Sequence, residues 1–255
     1  MTKKESIQTK VPKERIDKLL VQIGLAESRE KAQAFLLSGI VLVQDQPVTK
    51  AGTKVSVDAK IRLKGEQLAF VGRGGLKVEH ALEHFNINPL HKLCLDVGAS
   101  TGGFTDCLLQ AGASFVWAVD VGTNQLHFRL RQHKQVMSLE GVNFRHVDLG
   151  LTGSFVDIIV IDVSFISLKL ILPKACEFLT RGGSIIALVK PQFEVGPDKL
   201  QRGGTVAKEK DRLAAIEEIK RFSHEIGLVV AGEVDSPIEG KKSGNLEYLL
   251  QLVKQ

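Results

Sequence analysis

The chain has 255 residues, 44% of them hydrophobic and 25% charged, with a formal net charge of +5. This balance fits a folded protein with one large domain, or a large domain and a small one, and excludes a wholly disordered chain. No run of 18 or so uncharged apolar residues occurs, and MTKKESIQTK at the start lacks an apolar core, so neither a membrane span nor a secretory signal is expected. Cys94, Cys107 and Cys176 lie far apart without a C-x-x-C pair. They read as small buried hydrophobes in a reducing compartment, the cytoplasm, and the seven histidines lack metal-ligand spacing, so no metal is expected.

The charge is uneven. Residues 1–70 hold 13 Lys and Arg against 8 Asp and Glu, and the remainder balances at 21 each. A basic small module beside a neutral large one suits a polyanion partner. Residues 14–23 place Ile16, Leu19, Leu20 and Ile23 at helical spacing, with Gly24 as a C-cap. Ser28 is placed to cap a second helix ending before Gly39. Short strands are expected at Ile40–Val43, Val55–Val57 and Ile61–Leu63, with turns at Gln46-Pro47 and Ala51-Gly52. Arg15-Ile-Asp-Lys-Leu-Leu, Ala26-Glu-Ser-Arg-Glu-Lys-Ala, Ser38-Gly-Ile-Val-Leu-Val and Thr49-Lys-Ala-Gly together resemble the alpha-L RNA-binding motif over residues 14–66. The resemblance implies RNA phosphate contacts from Arg29 and Lys31, and Arg15 and Lys18 share that basic surface. Such contacts are salt-sensitive and mostly blind to sequence.

The reading divides the chain into an RNA-binding domain at 12–68, a linker and active-site loop at 69–77, and a catalytic domain at 78–255. The segment Phe70-Val-Gly-Arg-Gly-Gly-Leu-Lys77 joins the two, with Arg73 as a further candidate RNA contact. A helix is expected from Val78 to Phe85. Strands are expected at Leu93–Val97, Phe115–Val119, Val142–His146, Ile158–Ile161, Ser184–Val189, Leu228–Val230 and Tyr248–Leu252. Helices are expected at Gly103–Ala111, Ile166–Phe178 and Val206–Ile226. Apolar strands alternating with helices give an α/β fold whose mostly parallel sheet is covered on both faces. Ligands bind such sheets at the carboxyl ends of the strands.

Four stretches carry chemistry. LDVGASTGGFT, from Leu95 to Thr105, follows a strand and opens a helix, and Gly98, Gly102 and Gly103 suit close approach to a ligand. Asp120 ends the next strand, where a carboxylate can accept hydrogen bonds from ribose hydroxyls. The spacing is not G-x-G-x-x-G and lacks a G-K-[ST] phosphate cradle, so a nucleoside-like ligand fits better than a dinucleotide. D-x-G-x-x-x-G-G-F resembles the first motif of S-adenosylmethionine-dependent methyltransferases, giving a Rossmann-like fold and that cofactor. Its implied contacts are Asp96, Gly98, Ser100, Thr101, Gly102, Gly103, Phe104, Asp120, Val121, Asp148 and Leu149, although Asp148 also suits a turn or an N-cap. In Ile158-Ile-Val-Ile-Asp162, four apolar residues end on a carboxylate too costly to bury unpaired. In Ala187-Leu-Val-Lys190-Pro191, an isolated ammonium at a strand end favours the neutral amine, unless it snorkels to solvent. Gly244-Asn-Leu-Glu247 brings an acid into the last strand. The loop Pro191 to Thr205 suits a lid, an RNA contact or an ordinary surface loop.

Lys77, Asp162, Lys190 and Glu247 resemble the Lys-Asp-Lys-Glu tetrad of FtsJ-type ribose 2′-O-methyltransferases. With GRGGLK, DVSF, VKPQFE and SGNLEYLL, nearly the whole chain is similar to the TlyA (haemolysin A-like) family of ribosomal RNA 2′-O-methyltransferases. The resemblance implies transfer of methyl to a cytidine 2′-hydroxyl of ribosomal RNA or a ribosomal subunit. Lys190 is then the general base, Asp162 its orienting partner, and Glu247 the holder of Lys77 or Lys190. The other readings are a non-catalytic RNA-binding ribosome-assembly factor, a membrane-active haemolysin, and a base methyltransferase. The last is weakened by the absence of a Pro-Cys pair and of the two prolines of (D/N)-P-P-(Y/F/W).

Overall fold

The structure is a computed structural model that describes residues 12–64, 69–240 and 244–255. The first eleven residues, the junction at 65–68 and residues 241–243 lie outside the described residues. Backbone contacts divide the chain into two compact units, Met1–Gln67 and Leu68–Gln255.

The small unit contains β1 (Lys13–Arg15), α1 (Ile16–Gln22), α2 (Arg29–Leu37), β2 (Val41–Val43), β3 (Gln46–Pro47), β4 (Lys54–Ser56) and β5 (Ile61–Leu63). β1 pairs with β4, and β3, β2 and β5 form a second sheet. The helical spacing buries Ile16, Leu19 and Leu20 against Ala32, Leu36, Val41 and Val55. Gly24, at φ +74°, closes α1 in the left-handed conformation that glycine reaches without a Cβ clash. Ser28 Oγ accepts the Lys31 backbone N–H at 3.2 Å and caps α2. Gln46-Pro47 is a strand rather than the expected turn. The turn falls on Gln44 and Asp45, both at positive φ, which suits a two-residue hairpin.

The large unit contains α3 (Gly75–His84), β6 (Leu93–Val97), α4 (Gly103–Gln110), β7 (Phe115–Asp120), α5 (Phe128–Arg131), β8 (Val136–Glu140), β9 (Val156–Ile161), α6 (Leu172–Phe178), β10 (Leu179–Val189), α7 (Pro191–Glu194), α8 (Glu209–Glu225), β11 (Leu228–Asp235) and β12 (Tyr248–Lys254). The sheet order is β11-β12-β10-β9-β6-β7-β8. β6 to β10 run parallel, and β12 lies antiparallel between β10 and β11. Successive residues face opposite sides of a strand, so each strand feeds two cores. Leu95, Ile159, Ile185 and Leu250 pack on one face with Leu172 and Ile216. Cys94, Ile158, Ile186 and Leu249 pack on the other with Val78 and Leu108. This is a Rossmann-like α/β sheet.

Three expectations are corrected. The strand placed at Val142–His146 is β8, at Val136–Glu140, which pairs in parallel with β7 from Val116 to Asp120. Asn143 instead caps a 3₁₀ turn at Phe144–His146, and Phe144 is buried. The helix placed at Ile166–Phe178 is only α6, preceded by a 3₁₀ turn at Leu168–Leu170, because Pro173 belongs in a first helical turn. Finally, α3 starts at Gly75 rather than Val78, so Lys77 stands in the first turn of a helix instead of in a loop.

Candidate active site

The sheet order lines up chemistry at one edge. Glu247 precedes β12, Lys190 follows β10, Asp162 follows β9, Gly98 follows β6, and Asp120 and Glu140 end β7 and β8. Strand polarity alone gathers residues far apart in sequence.

On the β6–β7 side, Asp120 anchors two loops. One carboxylate oxygen accepts the Ser100 N–H at 2.8 Å and the other accepts the Gly122 N–H at 2.7 Å. Ser100 Oγ donates to Gln125 Oε1 at 3.3 Å, and His127 N–H reaches the Thr101 carbonyl at 3.1 Å. Glu140 accepts the Gln125 and Leu126 N–H groups at 2.6 and 3.0 Å. Those bonds hold its carboxyl below the usual range. Asp96 is fully buried. Its Oδ2 accepts the Thr105 hydroxyl at 2.6 Å, and Oδ1 has no hydrogen-bond partner. Burial pushes this carboxyl up to about 7, against the pull of Thr105, and the charge of Asp162 adds to the rise. Val121 is 70% exposed beside Asp120. Phe104 is buried in the core. Asp148 caps the 3₁₀ turn Leu149–Leu151 by accepting the Gly150 N–H at 2.8 Å.

The glycines serve packing inside the protein. A Cβ on Gly98 would strike the Asp162 carbonyl, and one on Gly102 would strike Leu130 and Leu126. A Cβ on Gly103 would lie 2.9 Å from the Gly72 carbonyl oxygen, and one on Gly72 would lie 2.8 Å from Thr101 Oγ1. A Cβ on Gly74 would press on the Phe104 ring at 3.3 Å. GRGG and TGGF therefore mesh backbone against backbone, and the first of them carries the chain into α3 and Lys77. Asp106 secures the mesh from below by accepting the Val71 N–H at 2.8 Å.

The other side of the edge holds two ion pairs. Lys77 Nζ lies 2.5 Å from Glu247 Oε2, with both side chains almost fully buried. Lys190 Nζ lies 2.5 Å from Asp162 Oδ1 and donates to Ser164 Oγ at 2.9 Å. The Asp162 contact is an ion pair too far out of line to count as a hydrogen bond. Val189 and Tyr248 are register partners, so Lys190 and Glu247 stand one step beyond that pair on adjacent strands. Lys190 has the Asp162 carboxylate beside it because β9 and β10 end together. Of the two alternatives for Glu247, the observed partner is Lys77.

Two aromatic residues missed as site elements flank the second pair. Phe165 is 88% exposed at φ +63°, and its ring centroid lies 5.1 Å from that of Phe193. A bulky residue in this backbone region costs about 1–3 kcal/mol and persists only where its surroundings impose it. The signal available in the sequence was the placement of each aromatic three residues after a charged strand end.

In the small unit, Asp17 accepts from Arg15 Nε at 3.0 Å and from an Arg29 guanidinium nitrogen at 2.8 Å. Both arginines stay about half exposed. Lys18 lies 4.0 Å from Glu14, and Lys31 lies over the Phe35 ring at 5.4 Å. Arg73, in the large unit, donates to the Glu239 carbonyl at 3.2 Å.

The Asp120 carboxylate, exposed Val121 and buried, half-partnered Asp96 under the turn supply acceptors and an apolar face of the kind that S-adenosylmethionine requires. Among the described residues, no helix is long and apolar enough to cross a membrane.

The profile of the FtsJ-like methyltransferase family matches residues 70–254, and that of the S4 domain matches residues 14–61. The chain is 41% identical to the 16S/23S rRNA (cytidine-2′-O)-methyltransferase TlyA of Mycobacterium tuberculosis, over 94% of this chain and 90% of that protein. It is 37% identical to Hemolysin A of Brachyspira hyodysenteriae, over 94% and 99%. A solved structure, "Putative hemolysin from Streptococcus thermophilus", matches with a TM-score of 0.73 at 43% identity, covering 96% of this chain and 90% of that one. The chain therefore belongs to the FtsJ-like methyltransferase family, in its TlyA (haemolysin A-like) group with an N-terminal S4 domain.

Proposed function

We propose that this protein transfers a methyl group from S-adenosylmethionine to the 2′-hydroxyl of a cytidine in ribosomal RNA, free or within a ribosomal subunit, in the cytoplasm. The observation that carries the reading is the buried ion pair Lys77–Glu247 and the partly buried pair Lys190–Asp162, at adjacent strand ends beside the cofactor loop. S-adenosylmethionine supplies an electrophilic methyl group on a sulfonium.

A ribose hydroxyl attacks well only as its proton leaves. Lys190 takes that proton after its own ammonium has released one to solvent, and Asp162 Oδ1 stabilises the ammonium that re-forms. Ser164 fixes the direction of Nζ. Lys77, held by Glu247, orients the hydroxyl. Exposed Phe165 offers a ring face to an unpaired base. Asp120 and the Ser100–Thr101 turn would hold the donor, and bringing two bound reactants together would supply much of the rate. Arg15, Lys18, Arg29, Lys31 and Arg73 contribute phosphate contacts that set position without reading sequence.

The test incubates the protein with methyl-labelled S-adenosylmethionine and separated, unmodified ribosomal subunits, then digests the RNA to nucleosides. Label in 2′-O-methylcytidine supports the reading. Label in a base-methylated nucleoside removes the ribose chemistry. No label in either subunit, with donor binding intact, leaves a non-catalytic assembly factor.

A further inference from the structure

The motif Lys190-Pro-Gln-Phe-Glu194 ends on a carboxylate that the transfer chemistry leaves unused. Glu194 closes α7. Its Oε1 accepts the Leu168 N–H at 2.9 Å, and its Oε2 accepts the Ser167 hydroxyl at 2.5 Å. Both partners belong to the turn that follows β9, just beyond Asp162. One carboxylate thus ties together the two turns that carry the Lys190–Asp162 pair. The Lys190–Ser164 bond and the Phe165–Phe193 contact bridge the same two turns. Between them, Phe165 keeps its positive φ, which a bulky residue holds only under constraint from its surroundings. Burial pushes the Glu194 carboxyl up, partly countered by the bonds from Leu168 and Ser167. Placing a carboxylate here costs solvation that a surface position would not.

Resting on the function proposed above, we infer that Glu194 is a positioning residue. It locks the Asp162–Leu168 turn onto the Lys190–Glu194 turn, setting the direction of Lys190 Nζ and holding Phe165 in the lining of a cavity of about 560 Å³ shared with Arg145, Ile166, Ser167, Leu170 and Phe193. The simpler alternative makes Glu194 only a cap for the 3₁₀ turn Leu168–Leu170. A cap alone supports stability and leaves the rate of a folded enzyme unchanged.

The experiment compares wild type, Glu194→Ala, Glu194→Gln, Ser167→Ala and the Ser167→Ala/Glu194→Ala double variant. Three quantities are read: single-turnover methyl transfer at saturating donor and subunit, S-adenosylhomocysteine affinity by calorimetry, and amide hydrogen exchange across residues 163–168. Misplacement of reacting groups by about an ångström costs about a hundred-fold in rate, and Glu194→Ala should lose on that order. S-adenosylhomocysteine affinity should stay within about two-fold, since the donor loops are on the other side of the edge. Glu194→Gln keeps an acceptor oxygen and should recover most of the rate. The double variant should be little worse than Glu194→Ala, because both changes cut the same tie. Exchange across residues 163–168 should accelerate in Glu194→Ala. A folded Glu194→Ala with wild-type rate or unchanged exchange overturns the inference, as does a fall in donor affinity that parallels the rate. If Glu194→Ala fails to fold, Ser167→Ala with wild-type rate and exchange overturns it. A wild-type protein that transfers nothing sinks the proposed function instead, and the exchange measurement still decides the role of Glu194.

Discussion

Asp17 in the small unit and Asp96 in the large one are both fully covered, yet their carboxyls are shifted in opposite directions. Asp17 is covered by its own partners. Arg15 first, and then Arg29, hold its carboxyl well below the usual range against the cost of burial. Asp96 is covered by apolar strands, and burial dominates there, with Thr105 as its single side-chain partner. The difference shows how each unit uses charge. The binding unit keeps an anion beneath two half-exposed cations, whose remaining N–H donors stay available. The reacting unit stores polar groups in depth, where any change of charge is expensive.

The contrast can be tested at four points, from the largest expected effect to the smallest. In the reacting unit, Lys190→Ala should lower saturated methyl transfer by about 10²- to 10⁴-fold, with S-adenosylhomocysteine binding unchanged. Transfer near the wild-type rate removes Lys190 as the base. In the binding unit, Asp17→Ala leaves two arginines without their anchor. It should cost about 1–3 kcal/mol of stability and weaken RNA binding about ten-fold, with transfer at saturating RNA unchanged. Tighter RNA binding would mean that Asp17 merely offsets positive charge.

The third point is pH. Because the folded pKa of Asp96 is raised to about 7, the folded protein keeps a proton that the unfolded chain releases from about pH 4 upward. Stability from this group is complete below the ordinary Asp pKa and is lost as pH rises through about 7. Asparagine has no such proton to lose. The stability of Asp96→Asn relative to wild type should therefore climb between pH 5 and pH 8 in denaturant melts. Parallel curves would remove Asp96 from the titration. Last and smallest, Lys31→Ala should reduce the salt slope of RNA binding by about 1, and an unchanged slope would take Lys31 off the phosphate surface.

Much of this was legible in the sequence because local pattern carries it. The alternation of apolar strands with helices gave the layers, and charged residues capping apolar runs marked Asp162 and Lys190. Partners across long separations were harder to read. The choice of Lys77 for Glu247 spans 170 residues and depends on the antiparallel insertion of β12. β8 was misplaced because Val136-Met-Ser-Leu-Glu140 mixes polar and apolar residues, as an edge strand does, while the more apolar Val142 and Phe144 turn in to the core. Glu140 and Glu194 were missed because carboxylates bound to loop backbone N–H groups leave no periodic trace.

The meshing of GRGG with TGGF also bears on heredity. One base change turns any glycine codon into one for alanine. At Gly72 or Gly103 the added atom would meet its neighbour at about the distances given above, below 3 Å, with backbone or a short hydroxyl side chain that cannot swing aside. At Gly98 it would meet the main chain of Asp162. Substitutions that weaken the protein can therefore arise where no proton or methyl group moves. A survey of inactivating variants that counted only reacting residues would overlook them.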